Sequence, residues 1–340
     1  MLARTADALV LDDVFVELSG FVVGSQVALK IEGLNAAGSI KLKTAMGLIA
    51  DAERRMGLKR GGHVVESSSG NLGVALGMVC AVRGYRFTCV TDPNASSSHL
   101  AIMRRLGVDV VVVKQRDARG GYLGERLKYI AEQLREDPTL IWTNQYANTA
   151  NSDAHYELTA AAILREFSRV DFLFVGAGTT GTLMGCVRRF RQDSPSTKIV
   201  AVDAVGSVTF GYGAGPRRIP GIGASQRPSL FNPAGIDSLM LIDELDAIHT
   251  CRTLAANHGL LVGGSTGSVL AAVRRHAPQI PLGSTVIAIS PDLGDRYLDM
   301  IYDDHWVLNN YGHLPEEPDR YATVVPAQEE EGLTKVAAIS

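Results

Sequence analysis

The chain has 340 residues, of which 46% are hydrophobic and 20% are charged, and its formal net charge is -3. This is the composition of a globular protein, and the length allows two domains around separate cores. The chain has no basic excess, and its first residues hold no basic segment followed by a long apolar run. We therefore predict no nucleic-acid partner, no export signal and no membrane span. The four cysteines lack paired spacing, which predicts neither disulfides nor a metal site and fits a cytoplasmic protein.

Apolar runs typical of strands alternate with helical patterns between about residues 60 and 290. Such alternation predicts an α/β fold with mainly parallel, twisted sheets flanked by helices. The predicted strands cover residues 62–66, 86–91, 109–113, 171–175, 198–203 and 284–290. The predicted helices cover residues 71–83, 98–106, 122–135, 152–167, 183–191, 243–258 and 266–276.

A serine-rich loop joins the first predicted strand to the first predicted helix. Its sequence is Glu66-Ser-Ser-Ser-Gly-Asn-Leu-Gly73. Backbone N–H groups at a helix N-terminus are unpaired and the helix dipole is positive there, so the loop predicts a site for a carboxylate or a phosphate. Most serine-rich caps are structural only, and the loop alone does not decide between the two interpretations.

A second loop, Val175-Gly-Ala-Gly-Thr-Thr-Gly-Thr182, also follows a strand and opens a helix. It has the form G-x-G-x-x-G, and Asp203 ends the next strand, so a dinucleotide site and an NAD-dependent oxidoreductase are one interpretation. The hydroxyls of Thr179, Thr180 and Thr182 instead favour a terminal phosphate monoester. The motif leaves both interpretations open.

A third glycine- and serine-rich turn lies at Leu260-Leu-Val-Gly-Gly-Ser-Thr-Gly-Ser268. Three separate caps would leave this excess of Ser, Thr and Gly unexplained. One ligand surrounded by the carboxyl ends of parallel strands explains all three loops.

Lys41 is the candidate catalytic residue. It follows a Gly-Ser turn and begins a predicted helix that runs through Thr44 to Ala50. A lysine at a helix N-terminus is disfavoured by the dipole, and both the dipole and burial favour the neutral amine that a Schiff-base lysine needs. We interpret the neighbouring Lys43 as a solvated residue without a role.

In the order and spacing of four motifs, the chain resembles the fold-type II pyridoxal-phosphate enzymes related to cysteine synthase, which share the fold of the tryptophan synthase β subunit. The motifs are Gly-Ser-x-Lys at 38–41, Ser-Ser-Gly-Asn at 68–71, Gly-Thr-Thr-Gly-Thr at 178–182 and Gly-Gly-Ser at 263–265. The resemblance implies a homodimer. It also implies a small α/β domain over residues 42–145 and a large cofactor-binding domain over 1–41 and 146–312, with the polar stretch at 143–151 as the predicted hinge. The acidic, proline-containing composition of residues 313–340 predicts a mobile tail.

The resemblance implies a role for each motif. Lys41 would bind pyridoxal 5'-phosphate as a Schiff base and act as the general base, Asn71 would hydrogen-bond the cofactor's 3'-oxygen, and Ser265 would face its pyridine nitrogen. The cofactor's phosphate would be bound by Gly178, Thr179, Thr180, Gly181 and Thr182, and the α-carboxylate of an amino-acid substrate by Ser67, Ser68, Ser69 and Gly70.

Within this family, further segments are similar to the N-(2-amino-2-carboxyethyl)-L-glutamate synthases, which join O-phospho-L-serine to L-glutamate in 2,3-diaminopropionate biosynthesis. These segments lie at residues 117–123, 144–148, 202–207, 220–225 and 291–299. A dicarboxylate nucleophile calls for cations and donors, and Arg126 and Tyr146 are the predicted ones. A thiol nucleophile, as in a cysteine or cystathionine synthase, and a non-catalytic relative that only binds a ligand remain alternatives.

Overall fold

The computed structural model describes residues 2–117 and 121–316 of the chain. Within them the chain forms two sheets, and the segment that builds the smaller sheet is inserted between the second and third strands that the chain contributes to the larger one. The ten strands are β1 (Phe15–Glu17), β2 (Gln26–Ile31), β3 (His63–Ser67), β4 (Arg86–Thr91), β5 (Asp109–Val112), β6 (Ile141–Trp142), β7 (Phe172–Gly176), β8 (Lys198–Ala204), β9 (Ser238–Ile242) and β10 (Thr285–Ser290).

The larger sheet has six strands in the order β1-β2-β10-β7-β8-β9, and the smaller has four in the order β5-β4-β3-β6. The β1–β2 pair is antiparallel, and every other pair is parallel. The prediction of an α/β fold with mainly parallel sheets is confirmed. All strands of the smaller sheet fall inside residues 42–145 and those of the larger sheet outside, while the domain bounds themselves stay a prediction.

Helices connect the strands and cover the sheets. They are α1 (Lys41–Arg55), α2 (Asn71–Arg83), α3 (Ser97–Arg105), α4 (Leu123–Glu136), α5 (Ala150–Ala154), α6 (Ala161–Glu166), α7 (Gly181–Asp193), α8 (Glu244–His258), α9 (Gly264–His276) and α10 (Asp304–Tyr311). The prediction of one helix over 152–167 is wrong in detail, because a π-helical turn at His155–Ala160 separates α5 from α6. Most of the predicted acidic tail, from residue 317 onwards, lies outside the described residues.

Aliphatic side chains pack on both faces of the larger sheet, and its central strands are buried along nearly their whole length. A separate core joins α1 and α2 to the smaller sheet and includes Cys80 and Cys89, both buried. Because parallel strands end at one edge of each sheet, the loops after β3 and β7 emerge from rigid supports. The first two predicted loops are therefore held by packed strands, and the third opens the buried helix α9.

Candidate active site

The predicted loops are connected to one another by a series of close contacts. A Cβ added to Gly178 would come within 2.9 Å of the Gly221 carbonyl oxygen, and one added to Gly221 would lie 3.7 Å from the Ser265 hydroxyl. Gly263, two residues before Ser265, donates its N–H to the carbonyl of Asp292 at 3.2 Å. The Asp292 carboxylate in turn accepts from Asn71 Nδ2 at 2.7 Å. Loops far apart in the sequence thus meet at one site.

Lys41 is the first residue of α1, as the sequence predicts. Its side chain is only partly accessible, and burial lowers the pKa of the amine from 10.5 to about 8, with the charge of Asp292 partly opposing that change. About a tenth of the amine is therefore neutral at pH 7, far more than for a lysine of ordinary pKa, so Lys41 is suited to act as a nucleophile or a base.

The loop that opens α7 has the strained geometry of a binding turn. Thr180 precedes the helix with φ of 67°, a left-handed conformation that a β-branched residue rarely adopts. Its buried Oγ1 has no hydrogen-bond partner among the described residues. Beside it, Asn151 Nδ2 donates to Thr179 Oγ1 at 3.2 Å, and its side chain lies where a Cβ on Gly181 would have to go. The loop brings a helix N-terminus and unpaired donors to one point, which is the chemistry of an anion site.

His155 contacts the first turn of α7, and it was not predicted as a site residue from the sequence. The ring is fully buried, and its Nε2 lies 3.0 Å from Thr44 Oγ1 and 3.3 Å from Thr182 Oγ1. Burial holds the pKa of the imidazole well below its ordinary value, so the ring is neutral. It lies at the start of the π-helical turn, a feature that often marks functional sites but that apolar periodicity does not reveal.

The serine-rich loop combines a cap with an unpaired hydroxyl. Ser68 Oγ accepts from the backbone N–H of Gly73 at 3.0 Å and of Gly70 at 3.3 Å, so Ser68 caps α2. The hydroxyl of Ser67 is fully buried and has no hydrogen-bond partner among the described residues. Ser69 and Gly70 are partly accessible. Both interpretations of this loop, cap and anion site, therefore find support.

Arg126 and Tyr146 lie next to Ser67. The Tyr146 hydroxyl donates to the Ser67 carbonyl at 3.4 Å, and the charge of Arg126 partly opposes the rise that burial causes in the pKa of Tyr146. Arg126 is 7% exposed, and its Nη1 lies 3.3 Å from a carboxylate oxygen of Asp92. Its Nε and Nη1 atoms nevertheless lack hydrogen-bond partners within residues 2–117 and 121–316. A buried guanidinium with unused donors is suited to an anionic ligand.

One sequence-based interpretation is wrong, and one residue of the site was not predicted. Lys43 is not solvated: it is fully buried, with its amine 2.7 Å from Glu32 and 2.5 Å from Asp12. Asp292 was not singled out, although it follows β10 by two residues and is 3% exposed. An acidic residue just beyond the carboxyl end of a parallel strand is a signal that could have found it.

The site contains no metal centre in the part of the chain that the structure describes, where no group of three or more His, Cys, Asp or Glu residues could hold an ion. Within the same residues, none of the helices is long and apolar enough to cross a membrane.

Comparison with known proteins identifies the class. The profile of the family "Pyridoxal-phosphate dependent enzyme" matches residues 15–292, and the chain therefore belongs to this family. Pyridoxal phosphate is the family's cofactor, so the G-x-G-x-x-G loop is not interpreted as an NAD site.

The chain is also similar to individual proteins of known name. The chain is 41% identical over 284 residues to the N-(2-amino-2-carboxyethyl)-L-glutamate synthase of Ralstonia nicotianae, a match that covers 83% of this chain and 84% of the relative. It is 42% identical over 287 residues to the enzyme of the same name from Cupriavidus metallidurans, with the same coverage. Among solved structures, O-ureido-L-serine synthase superposes with a TM-score of 0.83 at 32% identity, over 90% of this chain and 99% of that one.

The residues present fit pyridoxal phosphate. Lys41, with its lowered pKa, supplies the amine that the cofactor needs. The N-terminus of α7, with the unpaired Thr180 hydroxyl and a backbone at Gly178 that leaves no room for a side chain, suits the cofactor's phosphate. The prediction of this cofactor is confirmed by the family match. The roles of individual residues stay predictions.

Proposed function

We propose that this chain joins O-phospho-L-serine and L-glutamate to give N-(2-amino-2-carboxyethyl)-L-glutamate and phosphate, in 2,3-diaminopropionate biosynthesis. The observation that carries the proposal is the identity of 41% and 42%, over 83% of the chain, with two synthases of that product. The buried guanidinium of Arg126, with its unpaired donors, supports an acidic substrate.

Lys41, Asn71, Ser265 and the loop from Gly178 to Thr182 would hold the cofactor. When bound, pyridoxal phosphate supplies the electron sink that stabilises negative charge at the substrate's Cα. Ser265 is buried at 4% exposure and carries a neutral hydroxyl, so as the partner of the ring nitrogen it would not enforce a full positive charge there. A moderated electron sink favours β-elimination over transamination.

The serine-rich loop would bind the substrate's α-carboxylate. The Ser67 hydroxyl is unpaired and buried, and the backbone of Ser69 and Gly70 stands at the N-terminus of α2, where an anion is stabilised. Ser68 would contribute indirectly, since its hydroxyl caps the helix.

Lys41 would move the proton at Cα. Its neutral amine would take that proton while the Cβ–O bond breaks and the electron pair leaves with phosphate. The amine of glutamate then forms a bond to Cβ and loses a proton, and Lys41 returns a proton to Cα. The lowered pKa of Lys41 keeps both directions of transfer accessible near neutral pH.

Arg126 and Tyr146 would bind a carboxylate of glutamate. Each side chain is buried or partly buried beside Ser67, and the guanidinium of Arg126 brings a positive charge to this part of the site. A thiol nucleophile would need no such cation.

The test is a comparison of nucleophiles with the purified, cofactor-loaded enzyme. Phosphate release and product mass are followed with O-phospho-L-serine and either L-glutamate, sulfide or homocysteine. We expect the glutamate adduct, with one phosphate released per molecule of product. Sulfide or homocysteine as the efficient partner, with glutamate inactive, would instead support a cysteine or cystathionine synthase.

The assembly and the cellular location are further parts of the proposal. We expect a cytoplasmic homodimer without nucleic-acid or membrane partners, supported by the resemblance to the family and by the formal net charge of -3. Light scattering on the purified protein measures the mass directly, and a monomer mass would contradict the expectation.

A further inference from the structure

The side-chain amide of Asn71 is held at both of its ends. Its Oδ1 accepts from Arg296 Nη1 at 2.9 Å and faces His99 Nε2 at 3.1 Å. Its Nδ2 donates to Asp292 Oδ2 at 2.7 Å. Arg296 also donates to the Ala37 carbonyl at 2.8 Å, so the same guanidinium contacts the turn that leads into Lys41.

These partners allow only one orientation of the amide. A guanidinium can only donate, and an ionised carboxylate can only accept. The oxygen of Asn71 must therefore face Arg296, and its nitrogen must face Asp292. His99 agrees with this orientation: burial and the charge of Arg296 lower its pKa to about 4, and the neutral ring can donate from Nε2 while Nδ1 accepts from Ser96.

Asp292 is placed to keep its charge although it is buried. Burial raises the pKa of its carboxyl, but the hydroxyl of Tyr297 and the amide of Asn71 both donate to it. It also lies beside the start of α9, since Gly263 donates to its backbone carbonyl and a Cβ on Gly263 would collide with its Oδ1. Helix N-termini stabilise negative charge.

Asp292 also determines which end of the amide faces Lys41. Among the charged groups that the structure describes, Asp292 is the one whose charge acts on the Lys41 amine. The Asp292 backbone pairs with that of Ser39, two residues before Lys41, so the nitrogen end of Asn71 faces the carboxylate beside Lys41. Its oxygen end faces Arg296 and His99.

We propose that Asp292 is a positioning residue that holds the Asn71 amide with its N–H groups towards the Lys41 side, so that the site offers a donor to an anionic oxygen of the cofactor. Without Asp292 the nitrogen end of the amide loses its acceptor, and its N–H groups are held less firmly towards the Lys41 side by Arg296 and His99 at the oxygen end. The inference rests on the proposed placement of pyridoxal phosphate between Lys41 and Asn71.

The test is a double-mutant cycle on cofactor affinity. Apoenzymes of the wild type, Asn71→Ala, Asp292→Ala and the double variant are titrated with pyridoxal phosphate, and the dissociation constant is read from visible absorbance. Each single variant is expected to bind roughly tenfold more weakly, as for a lost hydrogen bond to a charged group. The double variant is expected to bind no more weakly than Asn71→Ala, because Asp292 acts only through Asn71.

The controls separate positioning from folding. Asp292→Asn keeps an oxygen acceptor for Asn71 and is expected to retain most of the affinity, whereas a structural need for the charge would leave it as weak as the alanine variant. Asp295→Ala removes an exposed carboxylate three residues away and is expected to bind like the wild type. Asp292→Ser is carried through the same cycle, so a folding defect of the alanine variant still leaves a decisive measurement.

Two results would overturn the inference in different ways. Additive losses in the cycle, or unchanged affinity in the Asp292 variants, would show that Asp292 does not act through Asn71. Unchanged affinity in both Asn71→Ala and Lys41→Ala would show that the proposed cofactor placement itself is wrong.

Discussion

Lys41 and Lys43 lie two residues apart in the first turn of α1, yet their amines meet opposite environments. Burial lowers the pKa of Lys41 to about 8, whereas Lys43 is fully buried against the carboxylates of Glu32 and Asp12. Neighbouring positions on a helix point about 100° apart, so two lysines separated by two residues face different sides. Lys41 is therefore suited to act as a nucleophile or a base, whereas Lys43 forms a structural ion pair with the two carboxylates.

Replacement of Lys41 should stabilise the apoenzyme. The amine has a pKa of about 8 when folded against 10.5 otherwise, so between these values the folded state binds fewer protons than the unfolded chain. The free energy of unfolding of the wild type therefore rises with pH across that window. Lys41→Met should lack this rise and be more stable near neutral pH, by on the order of 1–3 kcal/mol.

Urea unfolding of both apoenzymes across this pH window measures the difference. Lys59→Met, at an exposed position, is the control and should follow the wild type. A parallel pH dependence of wild type and Lys41→Met would show that the amine is not perturbed.

Replacement of Lys43 should have the opposite effect. Lys43→Met leaves Glu32, at 2% exposure, with less compensation for its buried charge, and we expect a loss of about 3–5 kcal/mol in the free energy of unfolding. The double variant Lys43→Met/Glu32→Gln should recover part of this loss. A double variant as unstable as the sum of the single variants would contradict the ion-pair account.

Replacement of Thr180 should change the stability of the apoenzyme and its affinity for pyridoxal phosphate in opposite directions. Thr180→Gly relieves a left-handed conformation with φ of 67° and should stabilise the apoenzyme by about 1 kcal/mol. It also removes the unpaired Oγ1, so affinity for pyridoxal phosphate should fall roughly tenfold. Thermal unfolding of the apoenzyme and a cofactor titration report the two effects, and unchanged affinity would remove Thr180 from the phosphate site.

Arg126 should affect the acidic nucleophile selectively. Arg126→Lys keeps the positive charge next to Asp92 but loses the planar fork that matches a carboxylate. We expect the KM for glutamate to rise roughly tenfold or more while kcat changes little. Arg135→Lys, at an exposed position of the same helix, is the matched control. An unchanged KM for glutamate would exclude Arg126 from that binding site.

The sequence predicted what depends on local pattern. Three features of the site lie at the start of a helix: Lys41, the serine-rich loop and the loop from Gly178 to Thr182. Each is recognised from residues that are close together in the chain. The strands predicted from apolar runs are present, whereas β1, β2, β6 and β9 were not predicted, because short apolar runs without clear alternation are ambiguous.

Contacts between distant residues could not be predicted in this way. Asn71 and Asp292 are 221 residues apart, and nothing in either segment indicates that their side chains meet. The burial of Lys43 depends likewise on Glu32 and Asp12, which lie outside its helix and meet it only in the folded chain. Functional residues that lie within one loop can be predicted from the sequence. Contacts between residues of different loops become known only from the folded structure.

The most direct measurement is a spectral titration of the cofactor-loaded enzyme, first with O-phospho-L-serine and then with L-glutamate. We expect the first addition to change the visible spectrum and to release one phosphate per active site. The second addition should restore the original spectrum as N-(2-amino-2-carboxyethyl)-L-glutamate forms. A spectrum that sulfide restores but glutamate does not would contradict the proposed function.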